Sequence, residues 1–176
     1  MNVIDKYIGI SEDRLHHILG VARKCYQIAK DMGKDENFCR KMFMIGWCHD
    51  VGYEFSKSQS DHPDVGAEMY RNMTNGNFGP IDEFDFAKMP ISARQSYDAI
   101  KKHGKYTEDK TDEWKILNIA DMTIDSKGND VDVMDRLDDI KSRYGEHSDQ
   151  YLTACDICIQ IGLVDRNSME RDAIGG

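Results

Sequence analysis

The sequence of 176 residues has no long apolar run and few of the signals that mark β-structure. No stretch approaches the roughly 20 apolar residues of a membrane-spanning helix. Residues 1–6 lack the basic and then apolar pattern of a signal peptide, so we expect a cytoplasmic protein without a membrane partner. Only three prolines occur, and apolar residues recur at helical spacing instead of alternating. These features predict an all-α fold.

Cysteine content and charge exclude further classes. Five cysteines are an odd number for a disulfide framework and indicate a reduced setting. Cys155 and Cys158 have the spacing of half a zinc site, but no second pair of that spacing exists, and core packing in a helix is favoured. A net charge of −9 disfavours binding to a long nucleic acid. Binding of a small phosphorylated ligand is compatible with this net charge, because a bound metal can reverse the local potential.

The helical pattern predicts one domain over residues 1–165, a bundle of about six to eight helices. The C-terminal helices are expected over 130–161, followed by a polar tail over 166–176. Capping residues and proline at a first helical position mark the helix starts. The predicted helices begin at or next to these residues: Ser11, Asp35, His62, Asp82, Ile91, Thr111, Asp130 and Ser148.

A histidine and an aspartate, His49 and Asp50, stand side by side at the end of an apolar helix. Gly52 follows and is expected to adopt the left-handed conformation that ends a helix. Asp121 lies in the most apolar helix, where a carboxylate is costly unless it is paired or bound to a metal. With these two aspartates, four histidines sit on predicted helices or at their ends: His17, His49, His62 and His103.

Mixed imidazole and carboxylate ligands suit Mn, Fe, Co, Ni or Zn, with Mg possible at the carboxylates. The spacing alone leaves two interpretations open. The six residues form a joint metal site, or the histidines are hydrogen-bonded and surface residues and Asp121 is a buried salt-bridge partner.

The order and the local contexts of these residues resemble the HD-domain superfamily of metal-dependent phosphohydrolases. Residues 14–17 (Arg-Leu-His-His) resemble its R-x-x-H, residues 49–53 (His-Asp-Val-Gly-Tyr) its His-Asp-(Ile/Val)-Gly block, and residues 120–121 its later Ala-Asp. Residues 62–67 (His-Pro-Asp-Val-Gly-Ala) and 99–103 (Ala-Ile-Lys-Lys-His) resemble two further segments of many members. Several motifs in the right order are more specific than any one of them.

This resemblance covers about residues 11–125 and implies an HD-type helical bundle that binds one or two divalent ions. Members with both middle histidines hold a second ion, with Asp50 bridging. The layout is similar to that of bacterial HD hydrolases that split dinucleoside tetraphosphates. Gly104 departs from them, because they carry a small hydroxyl residue there, so the substrate stays open. The implied metal ligands are His17, His49, Asp50, His62, His103 and Asp121.

The implied function is hydrolysis of a nucleotide or another small phosphate ester or anhydride by a metal-activated water. Asp50 is the implied catalytic residue that orients this water. Arg14, Lys57 and Arg94 are candidates for substrate binding, with a solvated surface role as the alternative for each. Two other functions stay open: a di-iron oxygenase of the HD fold, and a non-catalytic domain that binds a nucleotide or a protein. A homodimer is also compatible with the sequence.

Overall fold

The computed structural model describes residues 9–75 and 91–165. The expected helix over 82–88 and the tail over 166–176 lie outside these residues. Within the described part there is no strand, and none of its helices is long and apolar enough to cross a membrane. The all-α prediction is confirmed. Over residues 9–75 and 91–165, seven α-helices follow one another: α1 (Glu12–Asp31), α2 (Glu36–Val51), α3 (His62–Asn75), α4 (Ile91–Lys101), α5 (Asp112–Asp121), α6 (Val133–Tyr144) and α7 (Asp149–Gln160).

Four of the eight predicted helix starts are confirmed by their capping hydrogen bonds. The side chains of Ser11, Asp35, Thr111 and Ser148 each accept a hydrogen bond from the backbone N–H three residues later. The prediction that Asp130 caps a helix is wrong. Asp132 caps α6 instead, and the carboxylate of Asp130 lies 2.5 Å from Lys24 Nζ, which links the loop to α1.

Helix α5 lies at the centre of the bundle and contacts α1, α2 and α4. Trp114, Ile116 and Leu117 of this helix are almost completely buried. A second, smaller core lies between α6 and α7, where Cys158 packs with Leu137. All five cysteines are buried and none forms a disulfide. The core-packing interpretation of the two C-terminal cysteines is therefore confirmed.

Two glycines bring the end of α2 against the start of α3. A Cβ atom at Gly52 would lie 2.1 Å from the carbonyl oxygen of His62, and one at Gly66 would lie 2.3 Å from that of Cys48. The expected left-handed conformation of Gly52 is wrong: its φ is −55° and it continues the helical path into a short 3-10 turn, Gly52–Glu54. Glycine is required here by the close approach of two backbones. That approach sets the His49-Asp50 pair beside His62.

Candidate metal centre

The four predicted histidine ligands share one pattern of hydrogen bonding. Each ring directs Nδ1 at a backbone carbonyl oxygen, which can only accept, so Nδ1 carries the hydrogen. Nε2 is left as the acceptor atom of each neutral ring and points into the bundle. The four bonds run from His17 to Asp125 (3.0 Å), from His49 to Gly46 (2.6 Å), from His62 to Gln59 (2.5 Å) and from His103 to Ile100 (2.6 Å).

His17, His49 and Asp121 form one group of three potential ligands. The Oδ1 atom of Asp121 lies 3.0 Å from His17 Nε2 and 3.9 Å from His49 Nε2. His17 comes from α1, His49 from α2 and Asp121 from the last residue of α5. The side chain of Asp121 is 20% exposed, so the group opens on one side.

Asp50, His62 and His103 form a second group. Asp50 Oδ1 lies 3.2 Å from His62 Nε2 and 3.5 Å from His103 Nε2, and the two Nε2 atoms are 3.3 Å apart. Ligands about 2.1 Å from one ion stand roughly 3.0 to 3.5 Å from each other, so this triangle has the size of a shared coordination sphere. His62 begins α3, and His103 follows the end of α4.

Asp50 connects the two groups. Its Oδ1 atom, which faces the second group, lies 3.7 Å from Nε2 of His49 in the first. Its Oδ2 atom accepts a hydrogen bond of 2.6 Å from Arg14 Nη1. Because His49 and Asp50 are neighbours at the end of α2, one turn of helix supplies a ligand to each group. Asp50 therefore has a carboxylate oxygen close to histidines of both groups.

The electrostatics of the centre favour a positive charge between its potential ligand atoms. Burial lowers the pKa of His49 to about 4, so this ring is neutral at pH 7. Its buried Nε2 atom has no hydrogen-bond donor and faces the oxygens of Asp50 and Asp121. Burial raises the pKa of Asp50, but the surrounding histidines and Arg14 lower it well below its usual value. The lone pair of His49 Nε2 therefore faces the ionised carboxylates of Asp50 and Asp121.

These observations fit a divalent ion. A metal between the neutral Nε2 of His49 and the two carboxylates would replace a repulsive arrangement of acceptors by coordination. The backbone carbonyls that hold each Nδ1–H fix the tautomer and the ring orientation that a metal requires. The neutral form is also the one that ligates. Imidazole and carboxylate donors leave Fe, Mn, Co, Ni, Zn and Mg as candidates, as the sequence analysis expected.

A cavity of about 560 Å³ opens over both groups. Tyr53 lines it and stacks on the His62 ring, with centroids 3.9 Å apart and the planes inclined by 12°. The guanidinium of Arg14 lies 4.2 Å from the centre of the Tyr53 ring. The volume is within the range of pockets for small molecules. One aromatic side chain thus holds both a metal-ligand candidate and a cation at the cavity wall.

The family model of the HD domain matches residues 14–140, most of the chain. The chain belongs to the HD domain family. This family is one of metal-dependent phosphohydrolases, and each of the two His/Asp groups of this HD domain could hold a metal ion. No curated protein and no solved structure matches the chain.

Of the predicted substrate-binding residues, the HD domain fold brings only Arg14 to the cavity. Lys57 is exposed in the connection between α2 and α3, and Arg94 is partly buried on α4. Neither is among the residues that line the cavity. Arg14 reaches it because it lies one turn before His17 on the same face of α1.

Two cavity residues, Arg136 and Tyr144, escaped the sequence analysis. Both belong to α6, beyond the motifs that carry the resemblance. Arg136 Nη2 lies 3.9 Å from Asp121 Oδ1. One signal was available: Arg136 and Arg143 are seven residues apart and so share a face of a predicted helix. Which way that face points depends on packing that the spacing does not contain.

Proposed function

We propose that this HD domain hydrolyses a nucleotide or another small phosphate ester or anhydride with the help of one or two divalent ions. One observation carries the proposal. Two ligand groups open into a single cavity, Asp50 of the second group lies 3.7 Å from His49 of the first, and two arginines, Arg14 and Arg136, lie on the cavity wall. Metals next to arginines form the usual surroundings of a phosphoryl group under attack.

Six residues would hold the ions. The first site would use His17, His49, Asp50 and Asp121, and the second would use Asp50, His62 and His103. A divalent ion supplies acidification of water and positive charge close to the phosphorus. Asp50 has a carboxylate oxygen between the two groups, and we propose that it orients the attacking water. A carboxylate whose pKa is low stays ionised and can accept a hydrogen bond from that water.

Arg14 has two partners that fix its guanidinium. Asp50 accepts a hydrogen bond from Nη1, and the Tyr53 ring lies against the guanidinium plane at 4.2 Å. A fixed guanidinium donates to phosphate oxygens with little loss of rotamer freedom. We propose that Arg14 binds the phosphoryl oxygens and offsets the charge that they gain during the reaction.

The substrate proposal rests on size and surroundings. The cavity has room for a nucleotide, and its lining includes the aromatic side chain of Tyr144 as well as Arg136. The six-ligand layout is similar to that of hydrolases of dinucleoside tetraphosphates, so a nucleoside polyphosphate is a candidate. Gly104 again marks the departure: its φ is +66°, a conformation that a hydroxyl residue adopts only with strain. The backbone after His103 therefore follows a course suited to glycine.

A di-iron oxygenase would use the same six ligands. The arginines favour a phosphoryl substrate, because an oxygenase has no general need for two guanidiniums beside its metals. Oxygen uptake by iron-loaded protein, measured beside phosphate release, separates the two reactions. A non-catalytic domain would bind nucleotide without phosphate release and without oxygen uptake.

The test is a phosphate-release assay on purified protein with Mn, Co, Ni, Fe and Mg, using nucleoside mono-, di- and polyphosphates. We expect release with at least one metal and its loss, by a factor of at least about 10³, in Asp50→Asn. His16→Ala, an exposed neighbour of His17, is the matched control and should keep wild-type activity. Absence of phosphate release with every metal and substrate would refute the proposal.

A further inference from the structure

A second cavity of about 350 Å³ lies beside the metal centre and is rich in arginine. Arg14 at the start of α1 and two residues of α6, Arg136 and Arg143, line it. Arg136 and Arg143 are two helical turns apart, so both guanidiniums leave α6 on the same side. The two helices thus direct three cations into one space in a protein whose net charge is −9.

Carboxylates lie near all three arginines: Arg14 pairs with Asp50, Arg136 lies 3.9 Å from Asp121, and Asp13 and Asp139 also line the cavity. Arg136 and Arg143 share a single carboxylate oxygen, Asp139 Oδ2. Arg136 is 12% exposed and its Nε atom is buried without a hydrogen-bond partner. Burial lowers the pKa of Arg143, and the charges of Arg136 and Arg14 lower it further. Arg136 and Arg143 share one carboxylate oxygen, so the mutual repulsion of the three guanidiniums favours a further anion in this cavity.

The two cavities adjoin each other at the first ligand group. Arg14, His17 and Arg136 line both. Hydroxyl groups of Ser11 and Ser126 add donors to the wall of the arginine cavity. An anion bound there would therefore lie next to a phosphoryl group held at the His17 and Asp121 side of the centre.

We propose that the arginine cavity binds a second phosphate group of the same substrate, one that is not hydrolysed. The preferred substrates are then phosphoanhydrides or other compounds with at least two phosphates, and monoesters are poor substrates. This inference rests on the proposed function for its catalytic part only, because the anion site itself is a property of three arginines.

Binding of inorganic pyrophosphate and tripolyphosphate to EDTA-treated protein, followed by calorimetry, tests the anion site without any metal. We expect Arg143→Gln to weaken binding about tenfold, as loss of one exposed guanidinium contact does. Arg40→Gln is the matched control, because Arg40 is an exposed arginine of α2 with its own carboxylate partner, Glu36. Arg143→Lys keeps the positive charge but loses the paired N–H donors of the guanidinium, so its affinity for the polyanion should lie between those of wild type and Arg143→Gln. Thermal unfolding of each variant checks the fold.

The catalytic part is tested by the ratio of kcat/KM for a nucleoside diphosphate or triphosphate to that for the monophosphate. Arg143→Gln should lower this ratio about tenfold and leave the metal content unchanged. An unchanged ratio in an active enzyme would overturn the inference while the hydrolase proposal stands. Binding of pyrophosphate that depends on Arg143, without turnover of any substrate, would overturn the hydrolase proposal and keep the anion site. Wild-type protein that binds neither polyanion at millimolar concentration would overturn the site itself.

Discussion

His49 Nε2 lies 3.7 Å from Asp50 Oδ1, although both atoms are acceptors when the imidazole is neutral. The two residues are neighbours in the chain, and their side chains turn toward the same interior space at the end of α2. His49 is completely buried, and its Nδ1–H is already used by Gly46. A cation between the two acceptor atoms would therefore favour this arrangement, which connects the fold to the proposed chemistry.

Metal binding should raise the thermal stability of the protein. A divalent ion at a hundred times its dissociation constant adds about 2.7 kcal/mol, which corresponds to a rise in Tm of about 5 to 10 °C for a chain of this size. His49→Ala should abolish most of the rise, because it removes the buried donor. His16→Ala should respond like wild type. A rise of equal size in His49→Ala, measured by calorimetry with Mn, Co or Ni, would place the ion elsewhere.

The glycines at the contact of α2 and α3 should be far more sensitive than glycines in open turns. Gly52→Ala places a Cβ atom 2.1 Å from the carbonyl oxygen of His62, and we expect a loss of about 3 kcal/mol or more with reduced metal binding. Gly33→Ala is the control: its φ is +72° and nothing lies within 4 Å of the added atom. It should cost only about 1 kcal/mol.

Denaturant unfolding of both glycine variants measures the difference. Equal losses would mean that backbone conformation, and not the contact between the helices, determines the need for glycine at Gly52.

Arg14 should matter for turnover more than for folding. Its side chain is 34% exposed, so its removal leaves no large void. We expect Arg14→Gln to lower kcat/KM about 10- to 100-fold through loss of a charge-assisted contact with phosphate. Arg23→Gln, an exposed arginine on the same helix, should have no effect. Steady-state kinetics at matched metal content decide the matter, and wild-type values for Arg14→Gln would exclude a role in phosphate binding.

The cysteines should be inert in the folded protein. Burial raises the pKa of Cys158 to about 12 and that of Cys25 higher still, so at pH 8 both stay as thiols, which are poor nucleophiles. Iodoacetamide at pH 8 should label none of the five cysteines of the native protein and all five in guanidinium, as counted by mass spectrometry. Rapid labelling of Cys25 or Cys158 in the native protein would contradict the packing described for the two cores.

Local chemistry explains why much of the fold could be predicted. The capping residues Ser11, Asp35, Thr111 and Ser148 act over three residues, and the sequence contains everything that they need. The prediction that Asp130 caps a helix was wrong because two aspartates, at positions 130 and 132, compete for one helix start. In the structure Asp132 caps α6, and Asp130 lies in the preceding loop, where it pairs with Lys24.

Sequence could also name the six histidines and aspartates that the fold brings together, because their order and local contexts match several motifs of the HD domain. It could not give the reason for Gly52, which depends on a carbonyl group ten residues further along the chain. It also missed Arg136, whose position depends on how α6 packs across the bundle. Lys57 shows the opposite error: closeness in sequence to His49 and Asp50 does not bring its side chain to the cavity.

The most direct test of the central claim is the number of metal ions per chain in wild-type protein and in Asp50→Asn, measured by elemental analysis together with phosphate release. Because Asp50 connects both ligand groups, we predict up to two ions in the wild type, at most one weakly held ion in Asp50→Asn, and loss of turnover. His62→Ala should lose only the second ion. Full metal content and undiminished turnover in Asp50→Asn would contradict the claim that Asp50 bridges a hydrolytic metal centre.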